Sequence, residues 1–161
     1  MNKIKERILI VDDDESICRT LSLILQEEGY ETDVAYTGKE AIEKTKTNFC
    51  NVALLDIKLP DMEGTKLLTA MQKTFPEMIK IMVTGYPSLQ NAVEALNYGA
   101  DAYIMKPVDP EELLRLIREK LEKQREAKKI TEEKIAEWVK TRIMQLEQID
   151  KSRKFPHFIL M

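Results

Sequence analysis

Residues 8–11, Ile-Leu-Ile-Val, are apolar at every position. A strand with one face in water would place a polar residue at every second step, so this one must be covered on both faces. Another buried strand is expected at 51–56 ("NVALLD") and a further strand at 79–84 ("IKIMVT"). An alternating, half-buried run lies at 31–36 ("ETDVAY"), and a fifth strand is expected at 101–106 ("DAYIMK"). Segments of helical spacing separate them. The first puts Ile17, Leu21, Ile24 and Leu25 on one face and stops at Gly29. Thr37 and Glu40 form a capping box ahead of Ala41 and Ile42. The loop "LPDMEGT" precedes a helix over 65–74, Pro87 and Ser88 open one that ends near Gly99, and Pro110 sits in the first turn of the last. Five strand–helix units in this order predict an α/β fold: a doubly wound, open parallel sheet with helices on both faces.

With 43% apolar residues in 161, the chain is able to fill such a core. Its net charge of −3 argues against a dedicated nucleic-acid binder. No segment approaches the roughly 18 consecutive apolar residues of a membrane span, and the first apolar run is too short for a signal peptide. Cys18 and Cys50 fit no metal spacing and are expected as free, buried thiols in a reducing cytoplasm. Charge divides the chain: residues 1–122 hold 15 Lys+Arg against 22 Asp+Glu, and residues 123–154 hold 10 against 6. We therefore expect a domain at 1–122, a helical extension at 123–154 and an apolar tail at 155–161.

The strand ends carry the chemistry. In open parallel sheets ligands bind beyond the carboxyl ends of the strands. Here those ends deliver Asp12-Asp13-Asp14, Asp56, Thr84 and Lys106. Converging carboxylates suit a hard cation with oxygen ligands, and Mg²⁺ fits because it takes one or two carboxylates and keeps several waters. Lys106 beside them makes sense if a further anion, such as a phosphoryl group, enters between cation and ammonium, with Thr84 donating a hydrogen bond to it. A carboxylate is itself a nucleophile toward phosphorus, and Asp56, alone at the end of a buried central strand, is best placed for that.

Four stretches, "VDDDE", "LLDIKLPDMEG", "MVTGY" and "DAYIMKP", stand in this order at strand ends. Over about residues 5–122 the chain resembles the receiver domain of two-component response regulators. The resemblance implies a flavodoxin-like strand order 2-1-3-4-5 and a phosphoacceptor at Asp56. It implies an acidic pocket of Asp12 and Asp13, with Asp13 the more direct Mg²⁺ ligand and the backbone carbonyl of Lys58 a third protein ligand. It makes Thr84 and Tyr103 a switch pair, Lys106 the phosphoryl-binding lysine, and the bond before Pro107 cis. It implies a cytoplasmic signalling switch that catalyses only its own phosphorylation and dephosphorylation. Its partners would be a sensor histidine kinase or histidine phosphotransfer protein and an effector reached through protein contacts. Two alternatives stand beside it. One is a phosphorelay intermediate or adaptor. The other is a haloacid dehalogenase-like phosphatase with Asp12 as nucleophile and Asp14 as acid/base, which wants a late acidic pair not found here and leaves Asp56 unexplained.

Beyond 122, "EKQREAKK" is polar on every face and reads as a solvated helical connector. Ile130 and Ile135 around Thr131 read as a hydrophobic staple with a Thr cap, opening a new helix. That helix carries the stripe Ile135, Val139 (or Trp138), Ile143, Leu146 and Ile149. A lone amphipathic helix is marginal in water, so we expect a homodimer through this stripe or a fold-back. The face of residues 89–122 is a second possible dimer surface. His157, after a proline in an apolar tail, is not expected to carry phosphate.

Overall fold

A computed structural model of the protein describes residues 4–85 and 88–152. Strands β1 (Arg7–Val11), β2 (Glu31–Ala35), β3 (Val52–Leu55), β4 (Ile79–Thr84) and β5 (Ala102–Met105) pair in parallel, in the order β2-β1-β3-β4-β5. Helices α1 (Glu15–Glu27), α2 (Gly38–Thr47), α3 (Gly64–Thr74) and α4 (Leu89–Asn97) alternate with them, and α5 (Pro110–Ser152) follows β5. This is the expected doubly wound, flavodoxin-like sheet with a C-terminal helical extension.

Two apolar layers explain why β1, β3 and β4 read as continuous apolar runs. Leu9, Val11, Ala53, Leu55 and Met82 pack with residues of α2, α3 and α4, among them Ala41, Leu67, Leu68 and Met71. Their neighbours along the strands, Ile8, Ile10, Val52, Leu54, Ile79, Ile81 and Val83, pack with Leu21 and Leu25 of α1 and with Leu113, Ile117 and Leu121 of α5. Period-2 alternation thus divides apolar side chains between two cores rather than between core and water. Lys80 is the exception on β4. Its side chain is fully buried, and its Nζ donates to the carbonyl of Phe75 at 3.1 Å, just past the end of α3. Burial pulls that ammonium's pKa down.

Helix ends follow local chemistry. Gly29 takes a φ of +93°, which stops α1 at little steric cost. Thr37 Oγ1 accepts from the Glu40 amide at 3.0 Å, and the Glu40 carboxylate returns to the Tyr36 amide at 3.1 Å. Ser88 caps α4 through the Asn91 amide at 3.0 Å; Pro87 lies outside the described residues. The expected cis bond between Lys106 and Pro107 is present.

The C-terminal region differs from expectation in one respect. Thr131 does not cap a new helix, and Ile130 and Ile135 form no staple, because α5 continues unbroken from Pro110 to Ser152. The polar stretch 122–129 consists of Glu, Lys, Gln, Arg and Ala, all strong helix formers, so nothing in it stops the helix. The Thr131 hydroxyl is satisfied inside the helix by donating to the Ala127 carbonyl at 2.9 Å. The chain divides into two units, 1–122 and 123–161. Within the second, every described residue except Gln124 is exposed, the apolar stripe included. The stretch 155–161, with His157, lies outside the described residues. Among the described residues no helix is long and apolar enough to cross a membrane.

The two readings of Thr131 differ in the sign of a substitution. Loss of an N-cap would destabilise by about 1 kcal/mol, whereas Ala in a helix interior is favoured over Thr by about 0.5 kcal/mol. Thr131→Ala is expected to raise helix content and the melting midpoint slightly, as measured by far-ultraviolet circular dichroism.

Candidate functional site

The sheet edge gathers the acidic residues through backbone pairing. Val11 stands opposite Leu55, so the residues that follow them, Asp12 and Asp56, leave adjacent strands side by side. The Asp12 amide donates to Ala35 O at 3.1 Å and the Asp56 amide to Val11 O at 3.0 Å. Thr84 pairs with Met105, and the Lys106 amide donates to Thr84 O at 2.8 Å, which brings the lysine to the same edge. The cluster lies where β1 has β2 on one side and β3 on the other, the point at which strand order reverses.

Asp12 and Asp56 are 4% and 7% exposed, while Asp13 faces solvent. One carboxylate oxygen from each of Asp12, Asp13 and Asp56 lies within 4.8 Å of the others. Lys106 Nζ bridges two of them, at 2.7 Å from Asp12 Oδ2 and 3.5 Å from Asp56 Oδ2. Burial pulls the Lys106 ammonium down, but the hydrogen bond and charge of Asp12, with those of Asp56, outweigh it and hold its pKa above the ordinary value. The Asp56 carboxyl is pushed up, first by burial and then by the Asp12 charge, against the opposing pull of Lys106. Three oxygens of this kind, two nearly buried and one open to water, are the donor set a hard divalent cation takes.

The remaining sequence candidates divide. Lys58 carries an exposed side chain, and its amide approaches Asp56 Oδ1 at 3.5 Å. Thr84 is fully buried at the end of β4. Tyr103 is half-buried and packs against the α2–α4 core layer, with its hydroxyl already inside. Among the described residues that hydroxyl has no hydrogen-bond partner. Burial raises the phenol's pKa, and the nearby backbone of Ser88 offsets part of the rise. Asp14 is the N-cap of α1: its Oδ1 accepts from the Ser16 and Ile17 amides at 2.9 and 3.2 Å. A carboxylate so engaged is badly placed to act as the acid/base of the phosphatase alternative. The thiols of Cys18 and Cys50 are free and buried, each pushed up to about 11 chiefly by burial.

Two residues of the β3–α3 loop went unread in the sequence. A Cβ on Gly64 would sit 2.3 Å from the Asp56 carbonyl oxygen, so only glycine lets α3 begin so close to that backbone. Asp61 accepts from the Gly38 and Lys39 amides at 2.8 and 2.9 Å. The only signal for either was "PDMEG", which reads equally well as turn composition.

A raised carboxyl pKa fixes the sign of a pH effect. Folding favours protonated Asp56, so that contribution is full below the unfolded value near 3.8 and is lost as pH rises through the higher folded value. At pH 7, with chelator present, Asp56→Asn is expected to be more stable than the parent, since the amide removes a buried like charge. Urea midpoints measured down a pH series should show that advantage vanish below about pH 4.

Comparisons with known proteins agree with this arrangement. The model of the response regulator receiver domain matches residues 8–118. The response regulator ArlR of Staphylococcus saprophyticus is 38% identical over 118 residues, 73% of this chain and 53% of ArlR. The chain therefore spans about half the length of that relative. Among solved structures, a response regulator receiver domain protein (CheY-like) from Methanospirillum hungatei JF-1 is 56% identical. Its TM-score is 0.75, over 77% of this chain and 99% of that one. A response regulator protein from Burkholderia pseudomallei with a phosphorylated aspartic acid, calcium ion and citrate is 29% identical. Its TM-score is 0.66, over 68% of this chain and 65% of that one. Strand order, the carboxylates beyond β1 and β3, the lysine beyond β5 and the match over residues 8–118 lead to one assignment: the chain belongs to the response regulator receiver domain family.

Proposed function

We propose that the chain is a cytoplasmic, phosphorylation-dependent switch whose Asp56 takes a phosphoryl group, with Mg²⁺, from a histidine of a sensor kinase or phosphotransfer protein. One observation carries this reading. Asp56 Oδ2 is 3.5 Å from Lys106 Nζ, and Asp56 shares a 4.8 Å cluster of carboxylate oxygens with Asp12 and Asp13. A nucleophile is thus held next to both a cation site and an ammonium. The Asp56 oxygen forms an O–P bond as the P–N bond of phosphohistidine breaks; the imidazole nitrogen keeps the electron pair and takes a proton from solvent. Mg²⁺, held by Asp12, Asp13, Asp56 and the Lys58 carbonyl, would offset carboxylate repulsion and the charge of the phosphoryl oxygens. Lys106 exchanges its contact with the Asp56 carboxylate for one with a phosphoryl oxygen. The similar Burkholderia protein, with its phosphorylated aspartic acid, supports this reading.

The output is a two-state change. Thr84 donates to a phosphoryl oxygen on Asp56 and draws the backbone after β4 toward the site. Tyr103, with its hydroxyl buried and unpartnered among the described residues, is held there without a full set of interactions and responds to that movement. For the donor, a groove of about 520 Å³ lies between α1 and the start of α5, lined by Ile17, Leu21, Ile24, Pro107 and Val108, with Lys106 at its rim. An apolar helix face of the donor, seated there, would bring its histidine to the pocket.

The extension supplies a second contact, with another copy of the chain. Ile135, Val139, Ile143, Leu146 and Ile149 follow one another in steps of 4, 4, 3 and 3, an apolar stripe whose heptads are short and irregular but whose mean spacing of 3.5 residues suits a helix pair. They are 57, 42, 52, 51 and 48% exposed, and Trp138 beside them is 68% exposed. Two copies joined here would bury roughly 1,200 Å² in total, at the lower edge of stable interfaces. Glu137, Lys140, Glu147 and Lys151 flank the stripe with both signs of charge, so identical helices meet without a uniform repulsion.

Two measurements test these readings. The wild-type chain, incubated with a small acyl phosphate and Mg²⁺, is expected to gain a hydroxylamine-sensitive phosphoryl group, whereas Asp56→Asn and chelator-treated wild type gain none. Full labelling of the Asn variant would move the nucleophile elsewhere. Light scattering should give a dimer mass for the full chain and a monomer mass for Ile143→Asp, with labelling of Asp56 unchanged. Equal masses would refute pairing through the stripe.

A further inference from the structure

Asp61 stands five residues beyond Asp56, in the loop between β3 and α3, yet its carboxylate is used outside that loop. Oδ1 accepts from the Gly38 amide at 2.8 Å and Oδ2 from the Lys39 amide at 2.9 Å. Thr37 Oγ1 takes the next amide, that of Glu40, at 3.0 Å. Of the amides that the first turn of a helix leaves unpaired, α2 thus hands two to a residue more than 20 positions away in sequence. Met62 reinforces the contact, since a Cβ on Gly38 would sit 2.5 Å from its Sδ. At its far end the loop is held by Gly64, whose amide donates to Ile57 O and whose Cα lies against the Asp56 carbonyl. Lys58 lies between Ile57, which accepts that bond, and Asp61, and its backbone forms an isolated antiparallel bridge with Glu63.

We propose that Asp61 is a positioning residue: by tying the β3–α3 loop to the first turn of α2, it holds the Lys58 backbone and Asp56 in register for a divalent cation, and couples that turn to cation binding. The proposal rests on the cation reading given above. A carboxylate at a helix N-terminus is favoured by the helix dipole, and the two amides hold the Asp61 carboxyl below its usual pKa. The tether therefore persists through the neutral range. Coupling of this kind is reciprocal: if the tether helps the cation bind, the bound cation must tighten the tether.

Calorimetric titration of the full chain with MgCl₂, with amide hydrogen exchange at Gly38 and Lys39, tests both directions. Mg²⁺ is expected to slow exchange at those two amides in the wild type. Asp61→Ala is expected to bind Mg²⁺ severalfold more weakly, less than the roughly 10–100-fold lost with a partner bonded directly to a ligand, and to show no Mg²⁺ effect on either amide. Asp61→Asn keeps one acceptor oxygen and is expected to recover part of the affinity; it also stands in should the Ala variant fold poorly. If Asp61→Ala binds Mg²⁺ as tightly as the wild type while both amides exchange faster, Asp61 is only a helix cap and the proposal is wrong. Wild-type exchange unmoved by Mg²⁺ would overturn the coupling. A wild type that does not bind Mg²⁺ at all would instead bring down the cation reading, and this proposal with it.

Discussion

One ammonium set against three carboxylates governs this molecule. Two like charges 4–5 Å apart in a protein repel by roughly 3–4 kcal/mol at an effective dielectric near 20. Lys106 Nζ, at 2.7 Å from Asp12 and 3.5 Å from Asp56, is closer to each than the carboxylates need be to one another. Attraction therefore exceeds the repulsion between those two, yet one ammonium against three carboxylates leaves two negative charges in surplus. Asp13 is the member of the cluster that faces water. The backbone makes this arrangement possible. Side chains at successive strand ends converge only because the strands are parallel and in register, and the register is fixed by two apolar layers that a one-residue slip would exchange.

The sheet was legible because its signal is redundant. Ile8 to Val11 are apolar throughout, Ile79 to Val83 are apolar apart from Lys80, and the helix after each of these two strands has a side-chain cap, so burial, propensity and turn chemistry agree. Asp12, Asp56, Thr84 and Lys106 were legible for the same reason: a strand end is a defined place, and a charge there has few structural uses. Asp61 and Gly64 were not. A residue in "PDMEG" reads as turn composition, and nothing local reveals that its partners are the amides of Gly38 and Lys39. Thr131 misled in the opposite direction. Thr followed by Glu132 and Glu133 and flanked by isoleucines has the pattern of a helix start, but a cap is needed only where a helix begins. The Lys- and Glu-rich stretch before it never lets the helix end.

What the chain leaves unsatisfied indicates what it meets. Three places of different chemistry bear on this among the described residues, beside the exposed apolar residues of α4 such as Leu89 and Leu96. The acidic pocket has surplus negative charge, which a cation offsets and an apolar partner would not. The buried Tyr103 hydroxyl makes no close hydrogen bond among the described residues, although the Ser88 backbone lies near it. The stripe from Ile135 to Ile149 is exposed, and an apolar helix face would suit its length. These needs do not compete, because no single ligand meets two of them. In the proposed reading, a cation and a phosphoryl group act where charge is in surplus, and Tyr103 passes their effect on. The stripe, in the same reading, sets the number of chains that respond together.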